Sequence, residues 1–344
     1  MTTPDQLAKA AMHDLLLRLA GIAPDEVVAE ARGWLAEDRL DDVASSVTFT
    51  AIRYSLPLTE EDLGLLMTVL EADRAKLTAL RGIEPVRDDP PMVWRFSTQS
   101  PGDINDDSAV AALIDVLRAE PDAHGLWRTW RTPADDAPYP PPRAVYVVEA
   151  DDGDLPALTA RLQQALTSLG EVAPQIEVTP VRGDAPGYQR LARAYGALLW
   201  AATEAPEIKV ARVFDSVDPT TGPSFDPDHP RILDAAERDQ VLDYLRAGTA
   251  LMVTTATLDD VVDTTRGLVV PMSLRTDGTW IWPDTVTYYL EHHHLQPEQE
   301  LLAHIRNSGL LPPELDAVAL HRAMEALREP PEPEPEPIWT TSNL

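Results

Sequence analysis

The alternation of apolar and polar positions is sharpest between residues 267 and 295, GLVVPMSLRTDGTWIWPDTVTYYLEHHHL. An apolar run over 268–274 meets Asp277-Gly278, a dipeptide suited to the positive φ angles of a tight turn, and a second run over 279–282 follows. This pattern predicts a β-hairpin. Pro283-Asp284 then ends the strand, and Val286, Tyr289, Leu290 and His293 recur at the i, i+3, i+4, i+7 spacing that gives a helix one apolar face. Successive strand side chains alternate, so Trp280 and Trp282 are expected on the same side of the hairpin.

Helical periodicity dominates residues 1–82. Val27, Val28, Ala31, Trp34 and Leu35 repeat at helical spacing behind Asp25-Glu26. Thr59 stands as an N-cap before Glu60, Glu61 and Asp62, acids that suit the positive end of a helix dipole, and Leu63, Leu66, Met67 and Leu70 supply the buried stripe. Residues 83–143 read as a linker with one strand near 92–96 and one helix over 107–119, closed by the proline run 138–142. From 144 the pattern alternates: strand 145–149, helix 155–169, strand 175–181, helix 188–202, strand 209–214. Such a βαβαβ unit, placed at 144–230, favours a parallel sheet with ligand sites at the strand ends. Residues 231–328 read as a helix, a strand, the hairpin and further helices, and 329–344 as an acidic proline-rich tail, EPPEPEPEP followed by Ile338-Trp339. The expected fold is therefore mixed α/β: a helical N-terminal region, a central βαβαβ unit with a mainly parallel sheet, and a C-terminal β-hairpin plus helices.

Composition narrows the chemistry. The absence of cysteine removes disulfides, thiolate catalysis and cysteine-ligated metal. Fifty-seven acids against 28 bases, a formal charge of −29, oppose a phosphate backbone or an anionic membrane, so neither nucleic acid nor membrane is an expected partner. The N-terminus does not read as a signal peptide, and no apolar stretch approaches the ~20 residues needed to cross a bilayer, which makes the cytoplasm the expected location. Phosphate-cradling and nucleophile-elbow motifs are missing, and no cofactor is expected.

Two sets of residues remain. Asp152 and Asp154 after one central strand, with Asp215 and Asp218 after another, are the carboxylates with which a metal-dependent hydrolase would hold a hard cation. Arg275, Asp277, Trp280 and Trp282 at the hairpin, with Trp339 in the tail, are residue types that dominate interface energies. His292-His293-His294 does not form a metal site, since neighbours on a helix point about 100° apart. The leading expectation is a non-enzymatic binding protein whose acidic surface engages a basic protein partner, as an immunity protein or adaptor would. The alternatives are the metal-dependent hydrolase and a structural protein that assembles through its C-terminal arm.

Overall fold

The computed structural model describes residues 4–87, 90–100, 107–135, 137, 139–181, 183 and 185–328. Trp339 and the rest of the tail lie outside them. The chain is mixed α/β, with helices at its N-terminus, and forms two compact units, Met1–Glu204 and Ala205–Leu344.

The first unit opens with five helices, α1 (Pro4–Leu19), α2 (Asp25–Ala36), α3 (Leu40–Tyr54), α4 (Glu60–Val69) and α5 (Arg74–Leu80). They bury Met12, Leu15, Leu35, Val43, Leu58 and Leu66 in a core of their own. The expected cap is present on α4: the Thr59 side chain accepts from Asp62 N while the Asp62 carboxylate accepts from Thr59 N, so two amides that the helix leaves orphaned are satisfied together. Then follow β1 (Trp94–Ser97), α6 (Asp107–Arg118), β2 (Ala123–Pro133), β3 (Arg143–Ala150), α7 (Leu155–Ser168), β4 (Gln175–Pro180), α8 (Gly187–Ala194) and β5 (Ala197–Ala201).

These strands form one sheet in the order β1-β2-β3-β4, with β5 also paired to β2. Only β3 and β4, joined through α7, run parallel; β2 is antiparallel to β1, β3 and β5. The expectation of a mainly parallel sheet is thereby corrected. Two elements account for it. The central strand β2 lies in the stretch expected to be a linker, and the helix expected over 188–202 is a helix that stops at Ala194 and a strand that starts at Ala197. Gly196 makes that change of direction possible: a Cβ there would meet Ala192 O at 2.7 Å and Arg128 O at 3.1 Å, so only glycine lets the chain press against β2.

One face of the sheet, through Tyr146, Val148, Ile176 and Val178, packs on Leu113 and Leu117 of α6 and Leu158, Leu162 and Leu166 of α7. Alternation puts Glu149 and Glu177 on the opposite face, where both are buried and matched. Arg32 of α2 takes Glu177 through two bonds, 2.9 and 2.6 Å, and Gln189 of α8 adds a third at 2.7 Å. Arg193 of α8 meets Glu149 at 3.0 Å.

The second unit contains β6 (Lys209–Val210), β7 (Ser216–Asp218), β8 (Gly222–Ser224), α9 (Ala235–Ala247), β9 (Thr249–Met252), β10 (Thr257–Asp259), β11 (Leu268–Pro271), β12 (Leu274–Thr276), β13 (Trp280–Pro283), α10 (Asp284–His293), α11 (Gln299–Ser308) and α12 (Ala317–Arg328). The predicted hairpin is β12–β13, with Thr276 opposite Ile281 and Leu274 opposite Pro283. It lies in a four-stranded sheet of order β6-β13-β12-β9, in which β6 pairs parallel to β13. The strand expected over 209–214 is only this two-residue β6, and it belongs to the hairpin's sheet. Residues 268–271 pair with β10 instead. Trp280 and Trp282 do share a side, packing with Tyr244 and Leu245 of α9, Leu290 of α10 and Leu301 and Ile305 of α11. Among the described residues no helix is long and apolar enough to cross a membrane.

Candidate functional site

The hairpin residues are structural in their contacts. Trp280 and Trp282 are 5% and 0% exposed, which places them inside the core and off any binding surface, and Trp282 Nε1 donates to Leu245 O at 3.1 Å. Arg275 is spent on Asp284 at 2.7 Å and on the carbonyls of Arg246 and Gly248. Asp277 organises the turn. Its Oδ1 accepts from Thr279 N, Thr279 Oγ1 and Trp280 N, and its Oδ2 from Tyr244 Oη at 2.8 Å and His304 Nε2 at 2.6 Å. Burial by itself would raise this carboxyl, but the Trp280 and Thr279 amides and the Tyr244 and His304 bonds hold it below the ordinary range. The positive φ of the turn falls on Gly278 alone, at 91°.

Asp277, His304 and Ser308 invite comparison with a catalytic triad, and the geometry rules that out. Asp277 Oδ2 and Ser308 Oγ both lie on Nε2 of His304, at 2.6 and 3.2 Å, whereas proton relay from serine requires the two partners on opposite ring nitrogens. Two other Asp–His pairs tie this unit together. His293 Nε2 meets the buried Asp260 at 2.6 Å, with Tyr288 donating to the same oxygen at 3.0 Å. Burial works to raise Asp260, yet the amides of Asp263 and Val262 and the His293 and Tyr288 bonds bring it down to about 2. His229 bonds Asp215 through Nδ1 at 2.8 Å and Gln296 O through Nε2 at 2.9 Å, so both ring nitrogens are occupied.

Asp215 thus serves its loop, and Asp218 accepts from the Thr220 and Thr221 amides in the β7–β8 turn. Among the described residues no three His, Asp or Glu side chains come together as metal ligands would. His292, His293 and His294 diverge: His292 stacks on Tyr288, His293 takes Asp260, and His294 ends α10 with φ 61°.

Asp152 and Asp154 sit elsewhere, in the first unit, at the carboxyl end of β3. Asp154 caps α7 by accepting from Ala157 N, and Asp152 is exposed. Here the fold assembles what the sequence disperses. The start of α1 brings Asp5, Gln6 and Lys9, and the turn after α2 brings Asp38, to line a groove of about 850 Å³ together with Asp152 and Asp154. Lys9 lies between Asp38 at 2.8 Å and Asp154 at 3.4 Å; burial works to lower its pKa, and the two carboxylates outweigh that and raise it. Four carboxylates therefore face one ammonium. Asp14 of α1 feels the same field: burial raises it, the Arg18 charge lowers it, and Asp152 and Glu61 raise it further, with a net upward result.

No family model, curated protein or solved structure matches this chain.

The groove can therefore be judged only by its chemistry. It holds four carboxylates against one ammonium in a concave surface. That suits the docking of cationic side chains. Asp152 and Asp154 were visible in the sequence as acids after a strand, but Asp5, Lys9 and Asp38 were not. Nothing in their spacing signals that α1 and the α2–α3 turn pass the end of β3, more than a hundred residues later in the chain.

Proposed function

We propose that the protein is a non-enzymatic cytoplasmic binding protein that engages a basic protein partner through the acidic groove of its first unit. The observation that supports this reading is the convergence of Asp5, Asp38, Asp152 and Asp154 around the single Lys9 in a chain of net charge −29. Such a field steers a cationic partner and orients it on approach, and the attraction falls with salt because the Debye length is only about 10 Å at 0.1 M. The hydrolase reading draws less support, since Asp154 is engaged with a helix cap and Lys9, and Asp215 and Asp218 with their own loops.

The test is affinity capture from native lysate at low and moderate salt, with the full chain and an Asp38→Asn/Asp152→Asn variant. A basic protein held by the wild type, released by salt and lost by the variant supports the reading. Equal retention by the variant refutes the groove as the binding face. A rise in melting temperature with millimolar Mg²⁺ would instead favour the metal-dependent alternative, because a ligand specific for the native state stabilises it.

A further inference from the structure

A second cleft in the first unit has arginines on its floor. It encloses about 600 Å³ between residues 21–26, Trp94 of β1, Arg131 of β2 and the stretch from Tyr139 to Arg143. On its floor Arg131 and Arg143 share one carboxylate oxygen, reaching Asp25 Oδ2 at 2.5 and 2.9 Å. Arg131 also donates to the Tyr188 hydroxyl at 3.0 Å and lies over the Trp94 ring, 4.2 Å from its centroid. Its Nε is buried and finds no acceptor among the described residues. Burial raises the Tyr188 phenol, so this neighbour stays neutral and cancels none of the charge. Two guanidiniums against one carboxylate leave the floor positive. Glu26 is the other acid among the described lining residues, so the positive excess is confined to the floor, where Arg131 and Arg143 meet Asp25.

Two arginines sharing one carboxylate oxygen stand out in a chain with twice as many acids as bases. The walls are as distinctive. Tyr54 and Tyr139 are 54% and 81% exposed, and with the half-buried Trp94 and Pro140, Pro141 and Pro142 they line the cleft with flat apolar surfaces. Aromatic-lined grooves bind extended proline-rich segments, whose stiff backbone loses little entropy on docking and whose rings pack on tyrosine and tryptophan. Arg143, 26% exposed, bonds Asp25 and Val172 O through one N–H each, and a guanidinium has five, enough to take a further carboxylate.

We propose that this cleft binds an acidic, proline-rich peptide of a partner protein in extended form, with prolines on Tyr54, Trp94 and Tyr139 and a glutamate or aspartate on Arg143. The inference is independent of the acidic groove and uses none of its residues.

The experiment is fluorescence anisotropy of a labelled Pro-Glu-Pro-Pro-Glu-Pro peptide titrated with the full chain. Binding should weaken about tenfold or more for Arg143→Gln, as expected for a lost charged hydrogen bond, and similarly for the same peptide with glutamine in place of glutamate. Tyr139→Ala, at an exposed position that leaves the fold intact, should weaken it without any change in melting temperature. Failure to bind at about 1 mM peptide overturns the proposal, as does equal affinity for the glutamine peptide or for the Tyr139→Ala chain. Loss with Arg143→Gln but not with Tyr139→Ala, together with displacement by inorganic phosphate, would make the cleft a small-anion site and also overturn it.

Discussion

Lowering the pH from 7.5 to 4 should destabilise the first unit through one side chain, His13. The ring is 2% exposed, its Nε2 donates to Val178 O at 2.9 Å, and its Nδ1 is buried without an acceptor. A second proton would have nowhere to bond. Burial, reinforced by the nearby Arg32 charge, pushes the group from its ordinary 6.5 down to about 4. Because the folded value lies below the unfolded one, the unfolded chain binds more protons between these pH values. The stabilisation is complete above about pH 6.5 and is lost as pH falls toward 4. At about 1.4 kcal/mol per unit, the loss is about 3 kcal/mol. In His13→Gln the amide still donates to Val178 O but does not titrate. Urea unfolding of both proteins across this range, followed by tryptophan fluorescence, isolates the effect, since every carboxylate and Asp–His pair is common to the two. The wild type should lose about 3 kcal/mol relative to the variant, most steeply between pH 6 and 4.5. A stability difference that stays flat with pH would refute the reasoning.

Removing one partner of the buried Arg32–Glu177 pair, as in Glu177→Ala, should cost about 3–5 kcal/mol in denaturant unfolding, because Arg32 is left charged in the interior; the double change Arg32→Met/Glu177→Leu should recover part of it. Trp282→Ala should lower stability by about 3–5 kcal/mol and remove near-ultraviolet dichroism from the second unit, the outcome of an emptied core site. Gly248→Ala should also destabilise, by about 1–3 kcal/mol, since the new Cβ would lie 2.3 Å from Trp282 Cζ2. Gly33→Ala, in the middle of α2 with nothing within 4 Å of the added methyl, should instead raise the melting temperature by the equivalent of roughly 0.5–1 kcal/mol.

The acidic groove was half legible. A strand ending in Asp151-Asp152-Gly153-Asp154 announces carboxylates at the mouth of a sheet, but nothing local reports that Lys9 will neutralise part of them or that Asp38 will face them. The arginine-floored cleft was not legible at all. Asp25, Trp94, Arg131 and Arg143 come from four elements, and read singly they are a helix-starting acid, a strand aromatic and two ordinary arginines.

Local chemistry determined much of this protein from the sequence alone. Thr59 with Asp62 starts a helix, Asp277-Gly278 turns a hairpin, Pro283-Asp284 begins α10, and 57 acids with no cysteine bound the function, because each effect acts within a few residues or on the whole charge. Tertiary structure decided the rest. β2 is central and buried on both faces, so its pattern lacks the period of two, and its polar Thr129 and Arg131 read as surface until their partners are in place. Ala197–Ala201 is too short an apolar run to choose between helix and strand, and the free edge of β2 made the choice. Whether a tryptophan is core or contact, and whether an acid is a cap or part of a groove, depends on what the fold brings against it from far along the chain.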